Sequence, residues 1–346
     1  MASSSTSAAS AAGEEQDQGY FPLCVRFNQT GGCFACGTES GFRVYNCDPF
    51  KETIRRNFAQ KRSSLCMIGG VRIIEMLFRS NLFAIVFHPG EKVYIWDDHQ
   101  EVFIGELTFH TQVLGVRLRR DKIVVVLAQK IFIYNFEDLK LLKQLESTDN
   151  PSGLVCLSCC DDSILVCPGL QPGQIRIEHL GHRRSNFIKN AHTSNLACLA
   201  LSLDGYMVAS ASEKGTLIRV WRTVDCGLEQ ELRRGSDRAE IYSIAFSPSN
   251  SWVAASSSKG TVHIWPTKKS QEDPNPVQSP TRVISKFSSF LPAYFHSKWS
   301  LAQYRLGDDT HSEVTFGTKD NTLIIITCSG KFHKVQFDIA GGECKK

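Results

Sequence analysis

Short apolar runs alternate with polar turns along most of the chain, and they do so in one recurring rhythm. An apolar strand leads into a polar turn and a second strand of small and apolar residues. A Gly-type turn and a third strand with an aromatic near its end complete the unit. CVRFNQTGGCFACGTESGFRVYN, IEMLFRSNLFAIVFHPGEKVYIWDD and VLGVRLRRDKIVVVLAQKIFIYNFED are the first three copies. LVCLSCCDDSILVCPGLQPGQIRIEHL, LACLALSLDGYMVASASEKGTLIRVWRT, IYSIAFSPSNSWVAASSSKGTVHIWPT and SLAQYRLGDDTHSEVTFGTKDNTLIIITCSG follow. Equivalent third-strand positions at Val44, Ile95, Ile133, Ile177, Val220, Ile264 and Ile326 lie 51, 38, 44, 43, 44 and 62 residues apart. A unit of about 40 to 45 residues with several strands is the signature of a β-propeller. The expected fold is therefore all-β, a seven-bladed WD40-type propeller over residues 20–346, with Trp96-Asp97 as its one WD dipeptide.

A fourth strand follows the third in several copies, as in EVFIGELTF and LKLLKQLES, and GLEQELRRG takes that slot in the fifth. Fourth strands form the outer rim of a propeller, so Arg233 and Arg234 are expected at the circumference, far from the central channel. The last spacing marks an insertion in the sixth blade, residues 266–298. It opens as a polar, proline-bearing loop and ends with an apolar cluster that includes Phe287, Phe290, Leu291, Tyr294 and Phe295. Such a cluster, exposed on a loop, rarely persists without a protein or membrane to cover it. Folding back onto the blade is the alternative.

Neighbouring side chains on a strand point to opposite faces, so two adjacent arginines cannot easily share one anion. Their surroundings suggest two anions. SASEKGTLIRVW, from Ser210 to Trp221, precedes the pair, and SSSKGTVHIW, from Ser256 to Trp265, follows it. Both carry serines, then Lys-Gly-Thr, then Arg219 or His263 two positions before tryptophan. Arg233 leaning to the fifth blade and Arg234 to the sixth would each anchor an anion pocket, with Ser and Thr hydroxyls donating and Lys or His adding charge. A guanidinium fork suits phosphate because it makes two parallel charge-assisted bonds. The plainer alternative is that adjacent arginines protect a sheet edge from aggregation. Arg43 and Arg176 also occupy positions comparable to Arg219, so that residue alone is unremarkable.

Composition narrows the remaining classes. A net charge of +4 from 39 basic and 35 acidic residues is too mild to make nucleic acid the main partner. Thirteen cysteines without a secretory leader suit a reducing cytosol. Residues 1–19 are small, polar and acidic, and read as a disordered tail. No apolar run approaches the roughly 18 to 20 residues needed to span a bilayer, so membrane contact would be peripheral. Cys33/Cys36 and Cys156/Cys159 have CxxC spacing, but each pair falls within a predicted strand and faces opposite sides, so no metal or other cofactor is expected. P-loop, nucleophile-elbow and HExxH patterns are absent from the sequence, and the chain is not expected to be an enzyme.

FNQTGGCFACGTESGFRVYN, ASEKGTLIRVW, ELRRGSDRAEIYSI, SSKGTVHIW and SFLPAYFHSKWS together resemble the PROPPIN family of propellers, and most closely its WIPI branch with Leu before Arg-Arg-Gly. That resemblance implies binding of phosphatidylinositol 3-phosphate and 3,5-bisphosphate through two rim pockets. One would use Arg233 with His192, Ser212, Lys214, Thr216 and Arg219. The other would use Arg234 with Ser256, Ser258, Lys259, Thr261 and His263, with Arg238 as an addition. It also implies that the apolar insertion enters the bilayer. A cytoplasmic monomer is then expected, recruited to phagophore and autophagosomal, endosomal or vacuolar and lysosomal membranes. The implied protein partner is the bridge-type lipid-transfer protein of autophagy, met in the first blade at FNQT. Asn28 is retained there, and Thr30 stands where the family often has Asp. Two other readings compete: a WD-repeat protein-interaction scaffold without a lipid role, and a hydrolase using the central channel, for which no triad is evident.

Overall fold

The alternation of buried and exposed positions becomes a ring of seven antiparallel sheets in the computed structural model, which describes residues 22–58, 69–267 and 297–346. The tail over 1–19 and the apolar insertion residues Phe287, Phe290, Leu291, Tyr294 and Phe295 lie outside the described residues. Each blade is a meander of consecutive strands, the first innermost. Blade 1 runs through Cys24–Phe27, Cys33–Gly37, Gly41–Cys47 and Phe50–Asn57. The second strands are the most completely buried, as in Trp252–Ser257, Met207–Ser212 and Thr322–Thr327, because blades pack on both of their faces. This explains their small and apolar composition: bulky side chains on both faces would hold the blades apart.

The sequence rhythm misplaces one blade. Ile326 lies on Thr322–Thr327, the second strand of blade 7, and the third strand is Phe332–Phe337. SLAQYRL is not the first strand of that blade either, since Ala302–Arg305 pairs with Thr261–Pro266 as the outer strand of blade 6. Blade 7 starts at Ser312–Phe316 and recruits Cys344–Lys345 as its outer strand. The insertion therefore separates the third and fourth strands of blade 6. Cys159 also departs from expectation: the inner strand of blade 4 is only Cys156–Leu157.

Ring closure uses side chains and not strand exchange, since blades 1 and 7 each supply their own four strands. Phe34, 3% exposed, stacks on Tyr45 at 5.0 Å between centroids and meets Phe332 of blade 7 at 6.2 Å. Phe50 reaches the same Phe332 at 4.4 Å. In the channel, Arg26 of blade 1 links Glu75 of blade 2 at 3.7 Å to Glu313 of blade 7 at 3.5 Å. Glu75 also meets Arg117 at 3.8 Å, and burial pushes its carboxyl up to about 8. Ser243 donates to Glu313 at 2.8 Å. These charged groups face one another across the cavity of about 490 Å³ that they line.

Phe34 bridges the seam, so Phe34→Ala should remove both transfer energy and packing, about 3 kcal/mol. Urea denaturation should show a lowered midpoint with an unchanged slope. An unshifted midpoint would mean that the seam is held elsewhere.

Candidate functional site at the edge of blade 5

The outer strand of blade 5, Leu228–Arg233, ends at the arginine pair. Its alternation sorts the side chains. Gln230 donates to the Pro266 carbonyl of blade 6 at 2.9 Å, and Leu232 joins the core shared by blades 5 and 6. Glu231 and Arg233 face the other way, where Glu231 pairs with Arg219 at 2.9 Å. The chain then turns, and the Arg234 N–H donates to the Thr216 carbonyl at 3.0 Å. The Arg234 side chain passes the Gly215 carbonyl, with Nε at 3.0 Å, and Nη2 donates to the Asp237 carbonyl. Gly215 sits at φ +61°, and a Cβ there would lie 1.6 Å from the Ala239 carbonyl oxygen. Only glycine allows this close turn.

Both arginines are buried, at 8% and 7% exposure, so neither is a solvated edge charge. Arg233 Nε donates to the Ser297 hydroxyl at 2.7 Å. Arg234 forms no ion pair among the described residues; burial lowers its pKa and the nearby Asp237 opposes that shift. Carbonyl oxygens satisfy its N–H groups without neutralising its charge. Its field is felt at His263, whose pKa is lowered to about 4, first by burial and then by Arg234. His263 stacks on Trp265 at 5.6 Å and shares a hydrogen bond with Ser300 at 3.1 Å.

A segment that sequence reasoning missed completes the site. Returning from the insertion, the chain lays Lys298–Trp299 along blade 5 as a fifth strand, parallel to the outer one, with Arg233 opposite Trp299. It then crosses back to blade 6. Ser297 therefore meets Arg233, and Ser300 meets His263. The one available signal was the polar SKWS that follows the apolar cluster.

Several of the expected residues are engaged with protein groups in the structure. His192 shares a buried hydrogen bond with Ser210 at 2.9 Å, and the Trp221 indole donates to the same hydroxyl at 3.0 Å. Burial, then Arg219, lowers the His192 pKa to about 4. The expectation that histidine adds charge is thus corrected: both imidazoles are neutral at pH 7. Arg219 is committed to Glu231 and to the Ala191 carbonyl at 2.6 Å. Ser256 is fully buried and donates to the Ser312 carbonyl of blade 7, away from Arg234. Ser258 accepts from the Glu240 N–H at 3.0 Å, and Arg238 lines a separate cleft with Asp149, Glu213 and Glu240. Ser212 accepts the Gly215 N–H through its carbonyl. Lys214 and Lys259 are exposed on the two matching Lys-Gly-Thr turns, with Lys214 donating to Thr193 at 3.2 Å and Thr261 to the Lys259 carbonyl at 3.3 Å. Asn28 is 4% exposed, and its carboxamide holds the first-blade turn through the Phe78 carbonyl and the Cys33 N–H. It is placed to shape that loop from within.

The fold is a seven-bladed β-propeller that carries two consecutive buried arginines on the rim of blade 5. The chain belongs to the PROPPIN family, whose family model matches residues 22–328. It is 42% identical over 332 residues to Autophagy-related protein 18e of Arabidopsis thaliana, covering 92% of this chain and 84% of that one. SVP1-like protein 2 of Pichia angusta is 39% identical over 321 residues, covering 88% and 87%. The crystal structure of Kluyvelomyces marxianus Hsv2 superposes with a TM-score of 0.75 at 24% identity, covering 94% and 96%.

The two neutral imidazoles give stability a sign. An unfolded histidine protonates near 6.5 and these protonate near 4, so the stabilisation is complete above pH 6.5 and is lost as pH falls toward 4. Glu75, with its raised pKa, contributes in the opposite sense, so the effect is read by difference. Between pH 6.5 and 4 the native chain should lose more stability than His192→Gln/His263→Gln, by up to about 3 kcal/mol per histidine. Parallel pH profiles in chemical denaturation would contradict this.

Proposed function

We propose that this protein is a peripheral membrane effector and scaffold that binds phosphatidylinositol 3-phosphate and phosphatidylinositol 3,5-bisphosphate through two rim pockets, one anchored by Arg233 and one by Arg234. The observation that carries this reading is the buried Arg234 guanidinium, which donates to two carbonyls and forms no ion pair among the described residues, beside His263. A buried cation without a direct ion pair is costly, and a phosphate monoester would supply a contacting counter-charge together with acceptors for the fork. Arg233 presents a second buried guanidinium on the opposite face, with Nε donating to the Ser297 hydroxyl. Lys214 and Lys259 stand exposed on the adjoining turns, where they add long-range attraction to an anionic surface.

Two modest sites on one rigid ring act together, because the second contact becomes intramolecular once the first is made. The apolar insertion would add a third contact and hold the propeller edge-on to the bilayer. The names of its relatives support a role in autophagy; recruitment from the cytoplasm to phagophore and autophagosomal, endosomal or vacuolar and lysosomal membranes is part of the proposal. One related propeller, KlAtg21, has been solved with the coiled coil of AgAtg16. For this chain we propose a monomer that presents its remaining blades to autophagy proteins, the bridge-type lipid-transfer protein among them.

Flotation with vesicles carrying 3-phosphorylated phosphoinositides tests the reading. Arg233→Thr and Arg234→Thr should each weaken binding about tenfold, which corresponds to losing one charge-assisted contact. The double variant should not float. Arg234→Lys keeps the charge, loses the fork and should fall between, with circular dichroism confirming that each variant is folded. Undiminished flotation of the folded double variant would overturn the proposal and leave a protein-interaction scaffold.

A further inference from the structure

Four of the five tryptophans are core residues: Trp96, Trp221, Trp252 and Trp265 are 1%, 7%, 5% and 0% exposed. Trp299 is 53% exposed. Its position is fixed by backbone pairing, since Lys298–Trp299 runs parallel to the outer strand of blade 5 with Trp299 directly opposite Arg233. Residues two apart on a strand share a face. Trp299, paired with Arg233, is thus on the face that Arg233 uses, and Ser297, just before the strand, accepts from its guanidinium. Lys298 is half-buried between them in sequence and lies opposite Leu232.

We propose that Trp299 is a membrane-interface contact, an indole anchor fixed one strand beyond the Arg233 headgroup pocket. This rests on the lipid reading above and goes beyond it by extending the bilayer-facing surface onto the folded blade. Adjacent strands are about 4.8 Å apart. A bilayer that delivers a headgroup phosphate to Arg233 therefore brings its headgroup region onto Trp299 as well. An indole suits that depth, with an apolar body for the acyl boundary and an N–H for the wet side. Lys298 adds a cation that favours an anionic leaflet. The chain entering the strap carries Tyr294 and Phe295, so the same stretch of sequence supplies apolar side chains before and after Ser297.

Because the other tryptophans are buried, Trp299 can be observed directly. The full chain is mixed with vesicles containing phosphatidylinositol 3-phosphate, with brominated acyl chains as collisional quenchers, and flotation is measured in parallel. The native protein should show a blue shift and quenching that Trp299→Phe lacks. Trp299→Ala should bind about tenfold more weakly while keeping its dependence on the 3-phosphate, because the substitution removes apolar contact and leaves both arginines in place. If the protein floats and the native and Trp299→Phe chains are quenched equally, or neither is quenched, the anchor is refuted and the lipid reading stands. If the native protein does not float at all, the lipid reading fails and the anchor falls with it.

Discussion

Residues 233 and 234 are consecutive, and consecutive residues at a strand end cannot reach the same place. Arg233 is the last residue of the outer strand of blade 5 and shares a face with Glu231. Arg234 is the first residue beyond it and turns toward Gly215 and His263. Two cations that would repel each other if they shared one site are thereby turned to different faces. The neighbouring Lys-Gly-Thr turns, the neutral imidazoles and the strap all matter through their positions relative to this division.

Burial makes the arrangement costly and therefore informative. A solvated arginine at a sheet edge would need no explanation, and on a bare blade the edge would also expose unpaired backbone groups. Here the strap covers the edge with a parallel strand, and it contributes Ser297 to one arginine and Ser300 to the histidine facing the other. The strap follows the insertion directly in sequence, so under the proposed function a bilayer contact made by the insertion and a headgroup bound at Arg233 would be only a few residues of backbone apart.

Periodicity made the fold legible because each blade is a local meander, and local meanders repeat their turn chemistry. It failed at blade 7, where the insertion displaced the outer strand of blade 6 and apolar Ile324, Ile325 and Ile326 resembled a third strand. The motif arginines were legible because neighbouring residues must part. His192, Ser256 and Arg238 hydrogen-bond to Ser210, to the Ser312 carbonyl and to the Glu213 carbonyl, and sequence spacing does not say which polar side chains are engaged inside the protein. The His192, Ser210 and Trp221 chain shows the difficulty: its groups look like ligands in the sequence and satisfy one another in the structure. Blade 6 has Ala255 at the position matching Ser210, and the Trp265 indole N–H has no hydrogen-bond partner among the described residues. Ser297, Ser300 and Trp299 escaped detection because their partners lie more than thirty residues away, across an insertion whose return path no local pattern encodes.

The central claim is that one arginine serves each pocket. Calorimetric titration of the protein with a soluble 3-phosphorylated inositol headgroup counts the headgroup sites per chain without any contribution from the bilayer. The account predicts two headgroups bound per chain, falling to one in Arg233→Thr and to one in Arg234→Thr. A single headgroup bound by the native chain, or complete loss on changing either arginine alone, would contradict it.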